Sequence, residues 1–380
     1  MKTINFLTSH FIPENTACTN RVLSLVQELA KHYKVNVICL SEKGIIQENT
    51  KIVYSENVMI YYVNQAAFDG KNFFKRALNE IKYIIKLIKI SKTLPSDITL
   101  ATSPYMFMIP LVGFGIRGTK LLDIRDIVWE YLDEKSVVKK VIKKVLTLIM
   151  KLGMKQFDHI TVTNIYELNL LSNKYALSNN IDVIPNGIDR ERYEKLITIK
   201  PATDISFTVT YVGNIGLAQN IKVLIDAAIQ LPNVKILIIG DGIEADKLRN
   251  YVKNENVNNV EFTGKLAWDI LEEYYEKSSV LYAQLDEKYI SAMPSKLYEY
   301  ASIGLPVIYG GVGQAKTFMK SLEHAVAIVP NNVNALVGAI KQKREEEVSI
   351  VSQRNRELIK EKFLREVAAK EVVRIVNELI

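Results

Sequence analysis

Short apolar runs rich in Ile and Val alternate with longer helix-patterned segments along this chain. The runs lack polar alternation, which is typical of strands that are buried on both faces of a parallel sheet. The predicted strands are Ile4–Leu7, Val35–Leu40, Met59–Val63, Ile98–Ala101, Lys120–Ile124, His159–Val162 and Ile181–Ile184 in the first half, and Phe207–Val212, Lys235–Ile239, Val260–Thr263, Val280–Ala283, Pro306–Tyr309 and Ala325–Val329 in the second. Because such strands are joined by right-handed helical crossovers, this order predicts an α/β fold with two doubly wound parallel sheets in succession.

The length of the chain also favours two domains. It has 380 residues, and a single core rarely grows beyond about 250–300 residues. A polar stretch without a strand pattern, 189–206, separates the two groups of predicted strands. We therefore predict an N-terminal domain over 1–190, a C-terminal domain over 205–350 and a helical tail over 351–380 that packs on either domain.

Positive charge is concentrated in the first half of the chain. The net charge is +7, and residues 1–189, with 24 Lys or Arg and 17 Asp or Glu, hold the whole excess. The segments Lys71–Lys92 and Lys135–Lys155 mix lysines with apolar residues at helical spacing, which predicts two cationic amphipathic helices that bind an anionic membrane. In the alternative interpretation, the apolar stripe of each helix faces the core. No pattern typical of a nucleic-acid module is present, so we expect no nucleic-acid partner.

The remaining composition favours a protein of the reducing cytoplasm, and the two basic segments predict that it is peripheral to a membrane. No apolar run reaches the roughly 18 residues of a membrane-spanning helix, and the N-terminal pattern is too short for a signal-peptide core. The two cysteines, Cys18 and Cys39, are too few for a disulfide framework and lie outside any metal-ligand spacing. We expect neither a metal site nor a cofactor.

Glycine pairs follow the first two predicted strands of the second half. Gly213 and Gly216 lie between a strand and a helix pattern, and Gly240 and Gly242 end the next strand. Glycines at such turns let the backbone approach a phosphate, and the helix N-terminus offers N–H groups to the anion. A plain strand–helix turn is the alternative, and it is favoured for Gly240 and Gly242 taken alone.

The strongest pattern begins at Pro294, which marks a helix start with Ser295 as its candidate cap. Lys296 falls in the first turn, and Glu299 falls one turn later on the same face. A lysine in the first turn opposes the helix dipole unless an anion lies nearby, and a bound diphosphate supplies that anion. Glu299 then accepts hydrogen bonds from two ribose hydroxyls. The alternative is an ordinary surface Lys–Glu pair.

Several segments share their order and spacing with one family. They are Val183–Asp189, Gly213–Gly216, Gly240–Gly242, Phe262–Gly264 and Pro294–Tyr300 with the following Gly304-x-Pro306-Val307. As a set they resemble the family-4 retaining glycosyltransferases. The resemblance implies the GT-B architecture, in which two Rossmann-like domains face each other across a cleft. It is nearest to the transferases of O-antigen and capsule assembly that use acetamido-deoxysugars.

The resemblance also implies roles for individual residues. Glu299 holds the ribose, Lys296 holds the diphosphate, and Lys265 and Leu266 contact the base through their main chain. The full set of implied donor-site residues is Gly213, Asn214, Gly216, Gly240, Gly242, Lys265, Leu266, Ser291, Pro294, Ser295, Lys296 and Glu299.

Three features depart from the family pattern. Ser291 stands where the family has the first of two glutamates, a residue that touches sugar hydroxyls. Asn214 and Asn220 stand where many members have Arg and Lys, which leaves more of the phosphate charge to Lys296. A glycine pair common in the first loop of the N-terminal domain is absent from 13–20.

The implied activity is metal-independent, retaining transfer of a sugar from a UDP-sugar to a lipid-linked saccharide acceptor in surface polysaccharide synthesis. Either a diphosphate oxygen or an enzyme base takes the acceptor proton, and the candidate catalytic residues are Lys296, Glu299, Asp126 and His10. For Asp126 and His10 the alternative is a cap or a structural hydrogen bond. A catalytically impaired nucleotide-sugar-binding subunit and a GT-B nucleotide-sugar epimerase stay open. A dinucleotide oxidoreductase is disfavoured because 8–13 lacks Gly-x-Gly-x-x-Gly.

Overall fold

The structure, a computed structural model, describes residues 1–14, 16–41, 50–65, 73–132, 136–177, 180–202, 206–346 and 351–380. Lys71 and Lys135, which begin the two basic segments, and the predicted domain limits 205 and 350 lie outside these residues. The chain forms two compact units. Unit 1 comprises Met1–Asn186 with Arg365–Ile380, and unit 2 comprises Gly187–Leu364.

Unit 1 is built on an eight-stranded sheet. Its strands are β1 (Thr3–Thr8), β2 (Lys34–Ser41), β3 (Thr50–Ser55), β4 (Val58–Asn64), β5 (Ile98–Thr102), β6 (Lys120–Ile124), β7 (His159–Val162) and β8 (Ile181–Val183). The strand order is β3-β4-β2-β1-β5-β6-β7-β8. All neighbours are parallel except β3, which runs antiparallel to β4 at the edge.

Helices cover both faces of this sheet. They are α1 (Ala17–Leu29), α2 (Phe73–Thr93), α3 (Met108–Gly115), α4 (Val137–Met154) and α5 (Ile165–Tyr175), with a 3-10 turn at Val128–Tyr131. Thr16, Ser136 and Asn164 each precede a helix and accept a hydrogen bond from the backbone N–H three residues later. Such caps satisfy a helix N–H that has no partner inside the helix, so these polar side chains determine where the three helices begin.

Unit 2 is built on a six-stranded parallel sheet. Its strands are β9 (Thr208–Val212), β10 (Lys235–Ile239), β11 (Val260–Gly264), β12 (Val280–Gln284), β13 (Val307–Gly310) and β14 (Ala325–Ile328), in the order β11-β10-β9-β12-β13-β14. Its helices are α6 (Arg190–Ile197), α7 (Lys222–Gln230), α8 (Ala245–Asn254), α9 (Trp268–Glu276), α10 (Ser295–Ile303), α11 (Gly313–Met319), α12 (Val333–Glu345) and α13 (Gln353–Lys362). The strand order reverses direction beside β9, and ligands of open α/β sheets bind at such switch points.

The last helix, α14 (Arg365–Leu379), belongs to unit 1. It packs against α1, and its inner face, which includes Ala369, Val372 and Val376, is buried in the same core as the first strands. The C-terminal end of the chain therefore completes the hydrophobic core that its first 40 residues begin.

The structure confirms the predicted fold class, with two α/β units that each carry a doubly wound sheet. One strand, β3, was not predicted. All six of its residues are exposed, and its apolar run, Ile52–Tyr54, is only three residues long. Within the described part of the chain, no helix is both long enough and apolar enough to cross a bilayer.

Candidate functional site

The ends of three neighbouring strands of unit 2 meet in a tightly packed loop cluster. The Gly213 N–H donates to the Ile239 carbonyl at 2.8 Å, and the Gly240 N–H donates to the Gly264 carbonyl at 2.8 Å. These bonds tie the loops after β9, β10 and β11 together at the carboxyl edge of the sheet. The cluster therefore lies where a parallel α/β sheet binds its ligands.

Two glycines make this packing possible. Gly213 has φ +146° and Gly240 has φ +138°, values that residues with a side chain rarely adopt. A Cβ on Gly240 would lie 1.9 Å from the Gly213 carbonyl oxygen, and one on Gly213 would lie 2.3 Å from Lys296 Nζ. The space next to the Gly213 backbone is thus held by a lysine amine, and the approach of this backbone to a phosphate stays a prediction.

Lys296 enters the cluster from the first turn of α10. Its Nζ donates to Tyr211 Oη at 3.0 Å and lies 4.1 Å from the centre of the Tyr211 ring. Among the described residues, no carboxylate forms an ion pair with Lys296. Burial lowers the pKa of Lys296 to about 8, and the charge of Glu299 offsets part of this shift. A desolvated cation without an ion-pair partner favours the binding of an anion beside it.

The start of α10 differs from the sequence-based prediction in one respect. Pro294 occupies the N-cap position, and no side chain of the described residues caps this helix end. The prediction that Ser295 is the cap is wrong, because Ser295 is already the first helical residue. The uncapped end leaves first-turn N–H groups for an external acceptor.

Glu299 has a partner that the sequence did not indicate. Arg192, near the start of α6, donates from Nη2 to Glu299 Oε2 at 3.3 Å, and its guanidinium carbon lies 3.2 Å from the centre of the Trp268 ring. Arg192 and Glu299 are 107 positions apart, so no local motif shows this contact. The arrangement orients one carboxylate oxygen of Glu299 and holds a flat aromatic–guanidinium stack beside it.

The other predicted donor-site residues surround this cluster with few side-chain contacts. Asn214 is exposed, Gly216 is buried, and a Cβ on Gly242 would lie 2.4 Å from the Ile215 carbonyl oxygen. Lys265 is exposed in the loop that follows β11, and Leu266 comes next along the chain. Ser291 is buried, 1% exposed, so the position of the absent acid is enclosed by protein.

A second polar cluster lies at the carboxyl ends of β1 and β6 in unit 1. His10 Nδ1 lies 2.6 Å from Glu14 Oε2, and Glu14 is buried. Within the part of the chain that the structure describes, the buried atoms Ser9 Oγ, Asp126 Oδ1 and Arg125 Nε have no hydrogen-bond partner. Buried polar atoms are rarely left unpaired, so this edge is suited to a ligand that carries several hydroxyl groups.

The buried acids Asp123, Asp126 and Glu167 of unit 1 fall into two kinds, according to the direction in which their pKa is shifted. Burial alone would raise the pKa of Asp123, but the two-point contact with Arg21, at 2.7 and 3.0 Å, lowers it below its usual value. Arg21 is therefore structural. Burial instead raises the pKa of Asp126, and it raises that of Glu167 to about 7. Glu167 was not predicted, because its sequence context shows only a helix start.

Two protein-family models match the chain, one over most of unit 1 and one over most of unit 2. Residues 19–192 match the model described as Glycosyltransferase Family 4, and residues 193–362 match the model described as Glycosyl transferases group 1. A curated relative, the uncharacterized glycosyltransferase MJ1178 of Methanocaldococcus jannaschii, is 26% identical over 203 residues, which are 53% of this chain and 54% of that protein. The chain thus spans about half the length of the curated relative that it matches.

Solved structures share the whole fold at low sequence identity. Sucrose-phosphate synthase (tll1590) from Thermosynechococcus elongatus matches with a TM-score of 0.77 and 17% identity, over 100% of this chain and 99% of that one. Anabaena Alr3699/HepE, in complex with UDP-glucose, matches with a TM-score of 0.64 and 13% identity, over 100% of both chains. The chain belongs to the family-4 glycosyltransferases and has the GT-B fold, with two Rossmann-like parallel-sheet domains.

Proposed function

We propose that this protein is a retaining glycosyltransferase that moves a sugar from a UDP-sugar to a saccharide acceptor carried on a lipid. The observation that carries the proposal is the position of Lys296, whose amine lies against the Gly213 backbone without a carboxylate ion pair among the described residues. A diphosphate fits this place, because it supplies the charge that the desolvated amine lacks.

The assignment of a UDP-sugar has separate support. Anabaena HepE was solved in complex with UDP-glucose, and this chain shares its fold. In our proposal Glu299 accepts hydrogen bonds from the ribose, while Lys265 and Leu266 offer main-chain groups to the base. Arg192 leaves the second carboxylate oxygen of Glu299 available for the ribose.

Charge stabilisation is the main catalytic contribution in this proposal. Negative charge develops on the diphosphate as it leaves, and Lys296 with the first-turn N–H groups of α10 lies ready to bind it. Fixed donors of this kind need no rearrangement during the reaction. We expect no metal requirement, since this charge is met by protein groups.

The acceptor proton goes either to a diphosphate oxygen or to a base of unit 1. Two candidates exist at the edge of β1 and β6. Glu14 holds His10 at Nδ1, which fixes its ring orientation and directs Nε2 away from the Glu14 contact. Asp126 has one buried oxygen without a described partner. Rates of Asp126→Asn and His10→Gln, compared at saturating acceptor, assign the base, because only its loss lowers kcat by about 100-fold or more.

The finer assignment follows the sequence resemblance. We propose an acetamido-deoxysugar donor and a place in O-antigen or capsule synthesis at the cytoplasmic face of the inner membrane. Ser291, in place of a glutamate, gives the donor-sugar end of the site a neutral lining.

The first experiment is calorimetric titration with UDP, UDP-glucose and UDP-N-acetylglucosamine. Lys296→Met removes one charge-assisted hydrogen bond at nearly constant length, and we expect UDP affinity to fall about 10- to 100-fold. Lys253→Met is the matched control, because its side chain is exposed in the last turn of α8 and lies outside the proposed site. Equal affinities of the wild-type protein and Lys296→Met would refute the site.

The buried Ser291 favours one second candidate, a nucleotide-sugar-binding subunit without turnover. That alternative predicts UDP-sugar binding of ordinary affinity with no transfer to lipid-linked acceptors and no hydrolysis. Product formation by the wild-type protein, lost in Lys296→Met, would eliminate it.

A further inference from the structure

Helix α4 presents an apolar ridge to solvent. Its inner face, with Leu146, Met150 and Met154, is buried against unit 1. The outer side chains are each 45–78% exposed, and they are Val137, Val138, Val141, Val145, Leu148 and Leu152. Six large apolar side chains in one exposed row on a single helix form a continuous patch, and such patches mark interaction sites.

The helix cannot rotate to hide this ridge. It lies very close to α3, where a Cβ on Gly153 would be 2.7 Å from Pro110 Cα and one on Gly113 would be 2.7 Å from the Gly153 carbonyl oxygen. Lys143 further ties the helix to the preceding turn, since its Nζ donates to the Glu130 carbonyl at 2.8 Å. The outward direction of the ridge is therefore a fixed property of unit 1.

A row of lysines runs beside the ridge. Val141, Val145, Leu148 and Leu152 are spaced by four, three and four residues, and Lys140, Lys144, Lys151 and Lys155 lie on the adjacent helical row. The α4 segment contains no Asp or Glu. An exposed apolar ridge beside a row of lysines that form no ion pair among the described residues matches the boundary between acyl chains and anionic headgroups.

We infer that the outer face of α4 docks on an anionic phospholipid bilayer. This inference deepens the proposed function, because it names the surface through which the protein meets a lipid-linked acceptor. A second copy of the chain is a poorer occupant, since pairing two α4 helices would bring two lysine rows together without acidic partners on either helix.

Helix α2 shows that composition alone does not produce such a face. It has a similar mixture of lysines and apolar residues, but Tyr83, Ile84 and Leu87 are buried in the core. Leu78 and Ile85 are its exposed large apolar side chains among the described residues. The core-facing interpretation therefore describes α2, and α2 supplies matched control positions on the same unit.

The test is co-sedimentation of the full chain with vesicles of pure phosphatidylcholine, or of equal parts phosphatidylcholine and phosphatidylglycerol. Val141→Ser with Val145→Ser should lower the partition coefficient on anionic vesicles about tenfold or more. Lys140→Gln with Lys144→Gln should lower it about 30-fold, at about fivefold for each basic residue. Leu78→Ser with Ile85→Ser, the matched control, should leave it unchanged.

Three results would overturn the inference. They are no binding to anionic vesicles, equal loss in the α2 and α4 variants, and a concentration-dependent dimer that Val141→Ser with Val145→Ser abolishes. UDP titration of the same variants separates this inference from the proposed function. Retained UDP binding without vesicle binding refutes the docking face alone, and vesicle binding without UDP binding refutes the donor site alone.

Discussion

Gly240→Ala is expected to lower the free energy of unfolding of unit 2 by about 2–5 kcal/mol, because the new methyl group forces an unfavourable backbone conformation and clashes with a neighbouring backbone atom. An alanine at positive φ costs about 1–2 kcal/mol, and φ is +138° here. The Cβ would also lie 1.9 Å from the Gly213 carbonyl oxygen, a backbone atom that cannot rotate away, and overpacking of this kind adds about 1–3 kcal/mol or more.

Gly264→Ala separates the two costs. Gly264 has φ +74°, but a Cβ there would have no atom of the described residues within 4 Å. We therefore expect a loss of only about 1–2 kcal/mol, from the backbone conformation alone. Urea unfolding measures both variants, with Trp268 as the reporter of unit 2 in a Trp129→Phe background, since these are the two tryptophans of the chain. Equal losses in the two variants would refute the proposed contact between the two glycine loops.

Three further perturbations test the charged groups. UDP affinity should be constant near neutral pH and should then fall, by up to about tenfold per pH unit, as pH rises through the Lys296 pKa of about 8. The reason is that the free protein loses the amine proton that the diphosphate complex retains. Titration calorimetry at several pH values checks this, and Lys296→Met should abolish the pH dependence. Arg192→Met should lower the free energy of unfolding in urea by about 1 kcal/mol or less, because the ion pair of Arg192 with Glu299 is partly exposed. It should also weaken UDP binding, and an unchanged UDP affinity would show that this ion pair is not part of the donor site. Asp123→Asn should cost about 3–5 kcal/mol, since it leaves Arg21 buried without its full counter-charge. The pKa of Asp123 is lowered in the folded state, so the ionised carboxylate stabilises the fold above its unfolded-state pKa, and this stabilisation is lost as pH falls through its folded-state pKa. Acid unfolding of the wild-type protein should therefore show a transition that Asp123→Asn lacks.

The described strands show which local sequence patterns were sufficient to predict a strand. Strands buried on both faces of a sheet need continuous apolar runs, and those runs are visible in the sequence without any partner. The edge strand β3 needs no such run, because its pairing with β4 supplies its hydrogen bonds and its side chains are exposed to solvent. Its existence depends on β4 being in place, which no local pattern records.

The site shows the same division. Glycines at strand ends and a lysine in a first helical turn are local patterns, so Gly213, Gly240 and Lys296 could be named in advance. Their contact joins different loops, and the sequence indicated only that Gly213 and Lys296 were suited to an anion, since a plain turn was favoured for Gly240 taken alone. Arg192 gave no signal, because its importance depends on Glu299 and Trp268, which reach it from other elements.

The sequence by itself determined the order of strands and helices, the two parallel sheets and the glycine and lysine positions, because each of these depends on a short-range period or on the conformational freedom of one residue. Only the tertiary structure decided which faces became buried. Helices α2 and α4 have nearly the same mixture of residues, yet α2 buries its apolar face and α4 exposes one. The reason is physical: burial depends on the neighbours that packing brings to a helix, and the close fit of Gly113, Pro110 and Gly153 fixes the inward side of α4.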